Sequence, residues 1–167
     1  ASTVGGVKYS YGPGEFFQIN RPLVEALVTA ATGGMSDAGG VALELYSGVG
    51  LFTIPLSRRF AKVVAVESSR EAVGFALANA RANGAANIEV VGAPVERWLR
   101  SPGVAPGVVS LALLDPPRSG LGAKSARDLV RLAQSLCCCS HALDRVGHRD
   151  DRNHRRVTRR GIEEAVH

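Results

Sequence analysis

Cysteine is scarce and badly placed for cross-linking. The chain of 167 residues has three, all consecutive, at Cys137, Cys138 and Cys139. Neighbours in a row seldom meet disulfide geometry with one another, and no other cysteine exists to pair with them. A disulfide framework is excluded, which fits a reducing cytoplasm. No metal site is expected either, because these cysteines with His141 and His148 lack the paired spacing of a ligand set. Long apolar runs are also missing. The longest is Val108–Leu114, against the roughly 20 residues that a membrane span needs. The opening Ala-Ser-Thr-Val-Gly-Gly has no basic start, apolar middle or small-residue cleavage site of a signal peptide. Met35 is the single methionine, so the chain reads as the body of a longer protein.

What is present belongs to a soluble globular protein. Apolar residues make up 46%, charged residues 21%, with 19 Gly and 8 Pro. That composition excludes a disordered chain, a collagen or a coiled coil as a whole-chain reading. The length suits one domain with a real core. A formal charge of +5 permits an anionic partner such as RNA without identifying one.

Hydrophobic periodicity predicts alternating elements. A helix is expected from Asn20 to Ala31, capped by Asn20, with Leu23, Ala26, Leu27 and Ala30 on one face. Strands are expected at Val41–Leu45, Lys62–Val66, Asn87–Val91 and Val108–Leu114, the last apolar throughout and so central. Helices are expected at Leu51–Arg59, Ser69–Asn83 and Ala123–Leu136, with a helical turn at Val95–Leu99. The predicted apolar side of the Ser69–Asn83 helix is Ala72, Val73, Ala76, Leu77 and Ala80. Strands alternating with helices predict an α/β fold, a doubly wound, mostly parallel sheet. The segment 1–18 reads as loop or short strand. The expected organisation is a lead-in segment and helix over 1–35, an α/β domain over 36–143, and a charged, disordered tail over 144–167. That tail holds seven Arg and five acids, and its apolar residues show neither period.

Ligands of such sheets bind at the carboxyl ends of the strands, so the residues following each strand come first. After Val41–Leu45 stands Tyr46-Ser47-Gly48-Val49-Gly50. Gly48 and Gly50 allow a tight turn and a close backbone approach to a ligand, although an ordinary strand–helix turn gives the same pattern. Thr53 occupies the place of the third glycine of a dinucleotide fingerprint. The second strand ends at Glu67, 19 residues after Gly48. An acid there either accepts hydrogen bonds from ribose hydroxyls or serves as a solvated acid at a helix start. The fourth strand runs into Asp115-Pro116-Pro117-Arg118. The two prolines hold that backbone extended over the sheet edge, and Arg118 suits a phosphate or carboxylate.

Four segments carry a family resemblance. They are Glu44–Phe52, Val63–Glu67, Asn79-Ala80-Arg81-Ala82-Asn83-Gly84, and Leu113-Leu114-Asp115-Pro116-Pro117-Arg118-Ser119-Gly120-Leu121. Together they resemble the catalytic domain of the S-adenosylmethionine-dependent uracil-C5 RNA methyltransferases. Phe16-Phe17-Gln18-Ile19-Asn20 resembles the motif that precedes the family's sheet. The likeness runs from about residue 9 to residue 132. It implies a class I, Rossmann-like methyltransferase fold, here lacking its last strands. It implies S-adenosyl-L-methionine as cofactor, rRNA or tRNA as partner, a cytoplasmic monomer, and no membrane or metal. Gln18 would contact the methionine end or the sugar of the cofactor, and Tyr46 would stand beside it. Gly48 and Gly50 would give it room, Glu67 would hold the ribose hydroxyls, and Gly92-Ala93-Pro94 would border the adenine. Asp115 would sit near the reacting sulfonium and the target base.

The family's chemistry uses a Cys thiolate, at the end of the next strand and before Asp/Asn-Pro, that adds to C6 of uracil. A carboxylate nearer the C-terminus removes the C5 proton. Here Cys137–Cys139 are not followed by Asp-Pro, and the stretch from residue 133 is unlike what should come next. The cysteines read as a buried helix end or incidental thiols, against the alternative of Cys139 as a displaced nucleophile; Glu163 and Glu164 read as tail charges, and the catalytic pair is unassigned. The expectation is therefore a methyltransferase fragment that holds the cofactor but transfers methyl poorly. The alternative is a non-catalytic cofactor-binding remnant. A nicotinamide-dependent oxidoreductase is the third reading, and the missing third glycine and Asp-Pro-Pro-Arg argue against it.

Overall fold

The computed structural model describes residues 1–13, 21–32, 37–101, 108–117, 121–133 and 136–138. Gln18, Arg118, Cys139 and the whole of 144–167 lie outside the described residues.

The chain opens with a hairpin, β1 (Ser2–Val4) and β2 (Val7–Tyr9). Gly5 and Gly6 close it, both with positive φ, which a two-residue hairpin loop requires. Val4, Val7 and Tyr9 point inward and are buried. Helix α1 (Arg21–Thr32) follows. Its buried face is Val24, Leu27 and Ala31, with Ala26 and Ala30 exposed. The expected face was thus rotated, because the larger valine side chains gain more from burial than alanine does.

Among the described residues, five strands then form one parallel sheet: β3 (Asp37–Leu45), β4 (Phe60–Glu67), β5 (Ile88–Gly92), β6 (Val109–Leu114) and β7 (Leu136–Cys138). Their order is β5-β4-β3-β6-β7, with every pairing parallel. The chain winds outward from β3 through β4 to β5, then crosses back to β6 on the other side of β3. The sheet is doubly wound, and its switch point lies between the ends of β3 and β6. The crossovers carry α2 (Thr53–Ser57), α3 (Arg70–Ala82), α4 (Val95–Trp98) and α5 (Ala123–Leu132).

The core has two halves because side chains alternate across each strand. Leu111 and Leu113 of β6 pack with Ala42, Val63, Ile54, Leu56 and the hairpin. Ala112 and Leu114 pack on the opposite side with Leu43, Leu45, Val66, Leu99 and Leu129. β6 is buried on both faces, as its apolar-rich sequence implied, with Ser110 partly exposed.

One expected element is corrected. The helix predicted through Leu136 ends at Leu132, and Ala133 is extended. Ala133 bridges to Val109, and Leu136–Cys138 then pairs with Ala112–Leu114. The open edge of β6 offers backbone partners, and that pairing overrides a helical periodicity that alone would have run on. Cys137 and Cys138 therefore lie on a sheet strand and not on a helix end. On α3, Leu77 is exposed and Asn79 is buried, the reverse of what hydrophobic patterning suggests.

Leu113 is fully buried at the centre of the sheet. Leu113→Ala is expected to cost about 2–5 kcal/mol of stability by urea denaturation. A loss under about 1 kcal/mol would show that this core half is not close-packed.

Candidate functional site

The carboxyl ends of β3, β4 and β6 converge on one sheet edge. Leu45 gives way to Tyr46, whose φ of 62° lies in the left-handed region. Gly48 and Gly50 follow with φ of 53° and 91°. An L side chain is strained there, so the sequence places glycine where the path allows it least choice. Among the described residues, a Cβ built on Gly48 meets nothing within 4 Å, so they leave this face of the turn open. The turn is closed by the Gly50 N–H donating to the Ser47 carbonyl at 2.9 Å.

Glu67 ends β4, and its carboxylate does two structural jobs. One oxygen accepts from the Gly48 N–H at 2.9 Å, and the other accepts from the Ser69 N–H at 2.7 Å. Its main-chain carbonyl accepts from Ala93 N–H at 2.9 Å, which ties the Gly92-Ala93-Pro94 loop to the same edge. Asp115 lies just past β6, its N–H donating to the Leu45 carbonyl at 3.3 Å. Partial burial raises its pKa. Tyr46 turns toward α4, where its hydroxyl donates to Glu96 at 3.0 Å. Desolvation, with that bond, pushes the Tyr46 hydroxyl up to about 12.

Five of the six predicted site residues are described, and all five lie on this edge: Tyr46, Gly48, Gly50, Glu67 and Asp115. The sixth, Gln18, lies outside the described residues.

Sequence reasoning missed a buried acid beneath the turn. Glu44 lies on β3 and is 1% exposed. It accepts from the Thr53 hydroxyl and from the Phe52 backbone N–H. Burial pushes its pKa up to about 8, the Thr53 bond opposes this, and the charges of Asp115 and Glu67 add to it. The signal was there in an acid flanked by Leu43 and Leu45 on an otherwise apolar strand. The Ser47 hydroxyl is also buried, with no hydrogen-bond partner among the described residues. The strand that carries Cys137 and Cys138 reaches this edge: Cys138 pairs with Leu114, one residue before Asp115.

Three carboxyl groups thus gather at one edge of a chain that is basic overall. Two donors at the turn already serve acids: the Gly48 N–H binds Glu67, and the start of α2 binds Glu44. A diphosphate would meet acids where it needs donors, whereas a ligand bearing positive charge would not. Among the described residues no group of His, Cys, Asp and Glu is arranged to hold a metal ion, and no helix is long and apolar enough to cross a membrane.

Comparison with known proteins places the chain. The family described as tRNA (Uracil-5-)-methyltransferase matches residues 4–100. A 23S rRNA (uracil(1939)-C(5))-methyltransferase of Alkalilimnicola ehrlichii is 33% identical over 162 residues, covering 94% of this chain and 36% of that protein. That match necessarily includes part of the stretch after Leu132, which sequence reading had set apart. A tRNA/tmRNA (uracil-C(5))-methyltransferase of Marinomonas is 36% identical over 149 residues, covering 80% of this chain and 40% of that protein. Among solved structures, the Pyrococcus abyssi tRNA (uracil-54, C5)-methyltransferase in complex with S-adenosyl-L-homocysteine superposes with a TM-score of 0.67 at 25% identity, covering 87% of this chain and 36% of that one. The chain spans about a third of the length of these relatives.

Glu44 gives the site a pH signature. Below about pH 4.5, the ordinary value, folded and unfolded chains both hold its proton; between there and about 8 only the folded chain does. Folding then takes up a proton, so stability falls as pH rises through that window, by up to about 1.4 kcal/mol per pH unit. Glu44→Gln is expected to remove this part of the slope, measured by denaturation at pH 5.5 and 7.5. Equal slopes for the two proteins would show that Glu44 ionises as an ordinary surface acid does.

Proposed function

The chain belongs to the tRNA (uracil-5-)-methyltransferase family, and on that premise we propose that it is the S-adenosyl-L-methionine-binding catalytic domain of an enzyme that methylates C5 of uracil in rRNA or tRNA. The single observation that carries this reading is the union of Gly48 and Glu67 at the sheet edge. It leaves a turn with an open face beside a fixed carboxylate, and it occupies the Gly48 N–H that a diphosphate would use.

The residues present fit the cofactor. Open space over Gly48 accommodates it, the orphaned Ser47 hydroxyl offers a hydrogen bond, and the acids suit its positive charges. Bound there, the cofactor supplies an activated methyl group on a sulfonium. Glu67, already oriented by two backbone N–H groups, keeps lone pairs for the ribose hydroxyls. The Gly92-Ala93-Pro94 loop borders the adenine, and Tyr46 braces α4 beside it. Asp115 is held over the edge by Pro116 and Pro117, close to the methyl group and the target base. Gln18, in the lead-in segment over residues 1–35, would contact the methionine end or the sugar of the cofactor. The cofactor domain extends over 36–143, with the charged tail 144–167 beyond it.

The RNA partner, the cytoplasmic location and the monomeric state belong to the same proposal. RNA contact by this chain alone is weak and salt-sensitive, since it rests on a charge of only +5. The catalytic nucleophile and base are unassigned. Uracil C5 is a poor nucleophile until a thiolate adds at C6. A misplaced sulfur costs on the order of 100-fold per ångström, and an absent base about 10²–10⁴-fold. A second reading, a cofactor-binding remnant, rests on the missing Asp-Pro after Cys139.

Two measurements test this. Glu67→Ala is expected to weaken S-adenosylmethionine binding by about 1.5–3 kcal/mol in calorimetry, the scale of hydrogen bonds to a charged group. Unchanged affinity would reduce Glu67 to a helix-start acid. RNA carrying 5-fluorouridine traps a working cysteine as a covalent adduct, because fluorine cannot leave as a proton does. Slow transfer and no adduct are the expected result for this chain. An adduct lost on Cys139→Ser would instead identify the nucleophile and discard the remnant reading.

A further inference from the structure

The lead-in strand does not pack on the sheet alone; it runs along α3 in a fixed register. The Lys8 backbone meets Asn83, the Ser10 backbone meets Asn79, and Gly12 lies against Phe75 and Glu71. Two residues of extended chain advance about 6.6 Å and four residues of helix about 6 Å, so the two periods stay in step. At Gly12 a Cβ would fall 2.7 Å from the Glu71 carboxylate and 3.2 Å from the Phe75 ring, so the contact is close.

The two asparagines grip in the same way but differ in one respect. The Asn83 carbonyl accepts from the Lys8 N–H at 3.1 Å, and its amide donates to the Lys8 carbonyl at 2.8 Å. The Asn79 carbonyl accepts from the Ser10 N–H at 2.8 Å, and its amide donates to the Ser10 carbonyl at 2.9 Å. They differ in where the remaining amide hydrogen goes: from Asn79 to the Val49 carbonyl at 3.0 Å, from Asn83 to the Asn79 main-chain carbonyl at 2.8 Å. Val49 is the residue between Gly48 and Gly50. Asn79 is 2% exposed, and replacing it leaves three backbone groups without their partner, of which the Val49 carbonyl is buried.

We propose that Asn79 is a positioning residue for the cofactor site, coupling the lead-in strand to the glycine turn so that the two order together when cofactor binds. This rests on the cofactor reading above. Asn79 touches no cofactor; it acts through the Val49 peptide, whose orientation sets where the Gly48 and Gly50 backbone stand.

The test uses the 167-residue chain with S-adenosylhomocysteine as probe. Asn79→Ala is expected to weaken binding at least tenfold and Asn83→Ala less than threefold, although both remove a grip on the lead-in strand. Asn79→Ala within threefold of the parent, or equal losses in the two variants, would overturn the inference. Amide exchange of the parent protein gives a readout that holds even where Asn79→Ala does not fold. The probe is expected to slow exchange of the Ser10 amide at least tenfold, and an unchanged Ser10 amide would overturn the coupling. A parent protein that does not bind the probe would fail the cofactor reading itself, and the inference with it, before any variant is compared.

Discussion

The hydrogen bond from the Gly48 N–H to the Glu67 carboxylate is the joint on which the site depends. It ties the turn after β3 to the last residue of β4, so two adjacent strand ends become one rigid rim. It demands a left-handed backbone at residue 48, which glycine supplies without strain. It also fixes the carboxylate, whose other oxygen is held by the Ser69 N–H at the start of α3. Through its main-chain carbonyl, Glu67 holds the loop after β5 as well. One residue thus sets the relative positions of three of the loops that border the edge.

The price of this arrangement is an acidic floor. Glu44 is fully buried beneath the turn and is kept largely neutral by desolvation and by the charges of Asp115 and Glu67. A protonated carboxyl both donates and accepts, so it holds the start of α2 without an unpaired buried charge. An electropositive ligand over this floor is favoured, and an anionic one meets like charge. The basic balance of the chain as a whole therefore says little about what this edge binds.

Much of the fold was legible in the sequence, because four strands are short apolar-rich runs, most of them bounded by glycine, asparagine or proline. The motif residues were legible for a related reason: Gly48, Glu67 and Asp115 each follow a strand, where a parallel sheet gathers its ligands. What escaped was tertiary. The Ala123–Leu132 helix carries a periodicity that continues in sequence through Leu136, and only the open edge of β6 ends it. Ala26 and Ala30 share a helical face with Leu27, yet Val24 and Val28 decide which way α1 turns. Asn79 looks like a surface residue until the backbones of Ser10 and Val49 are known to meet it, and Glu44 looks like part of a motif until its burial is seen.

Amide NMR during titration tests the central claim, that this edge is built for a positively charged adenosyl cofactor and not for a dinucleotide. With S-adenosylmethionine, saturable shifts are predicted at Gly48, Gly50, Ala93 and Asp115, and with NAD none at those positions. Saturable NAD shifts at those amides, with S-adenosylmethionine leaving them unmoved, would contradict the account.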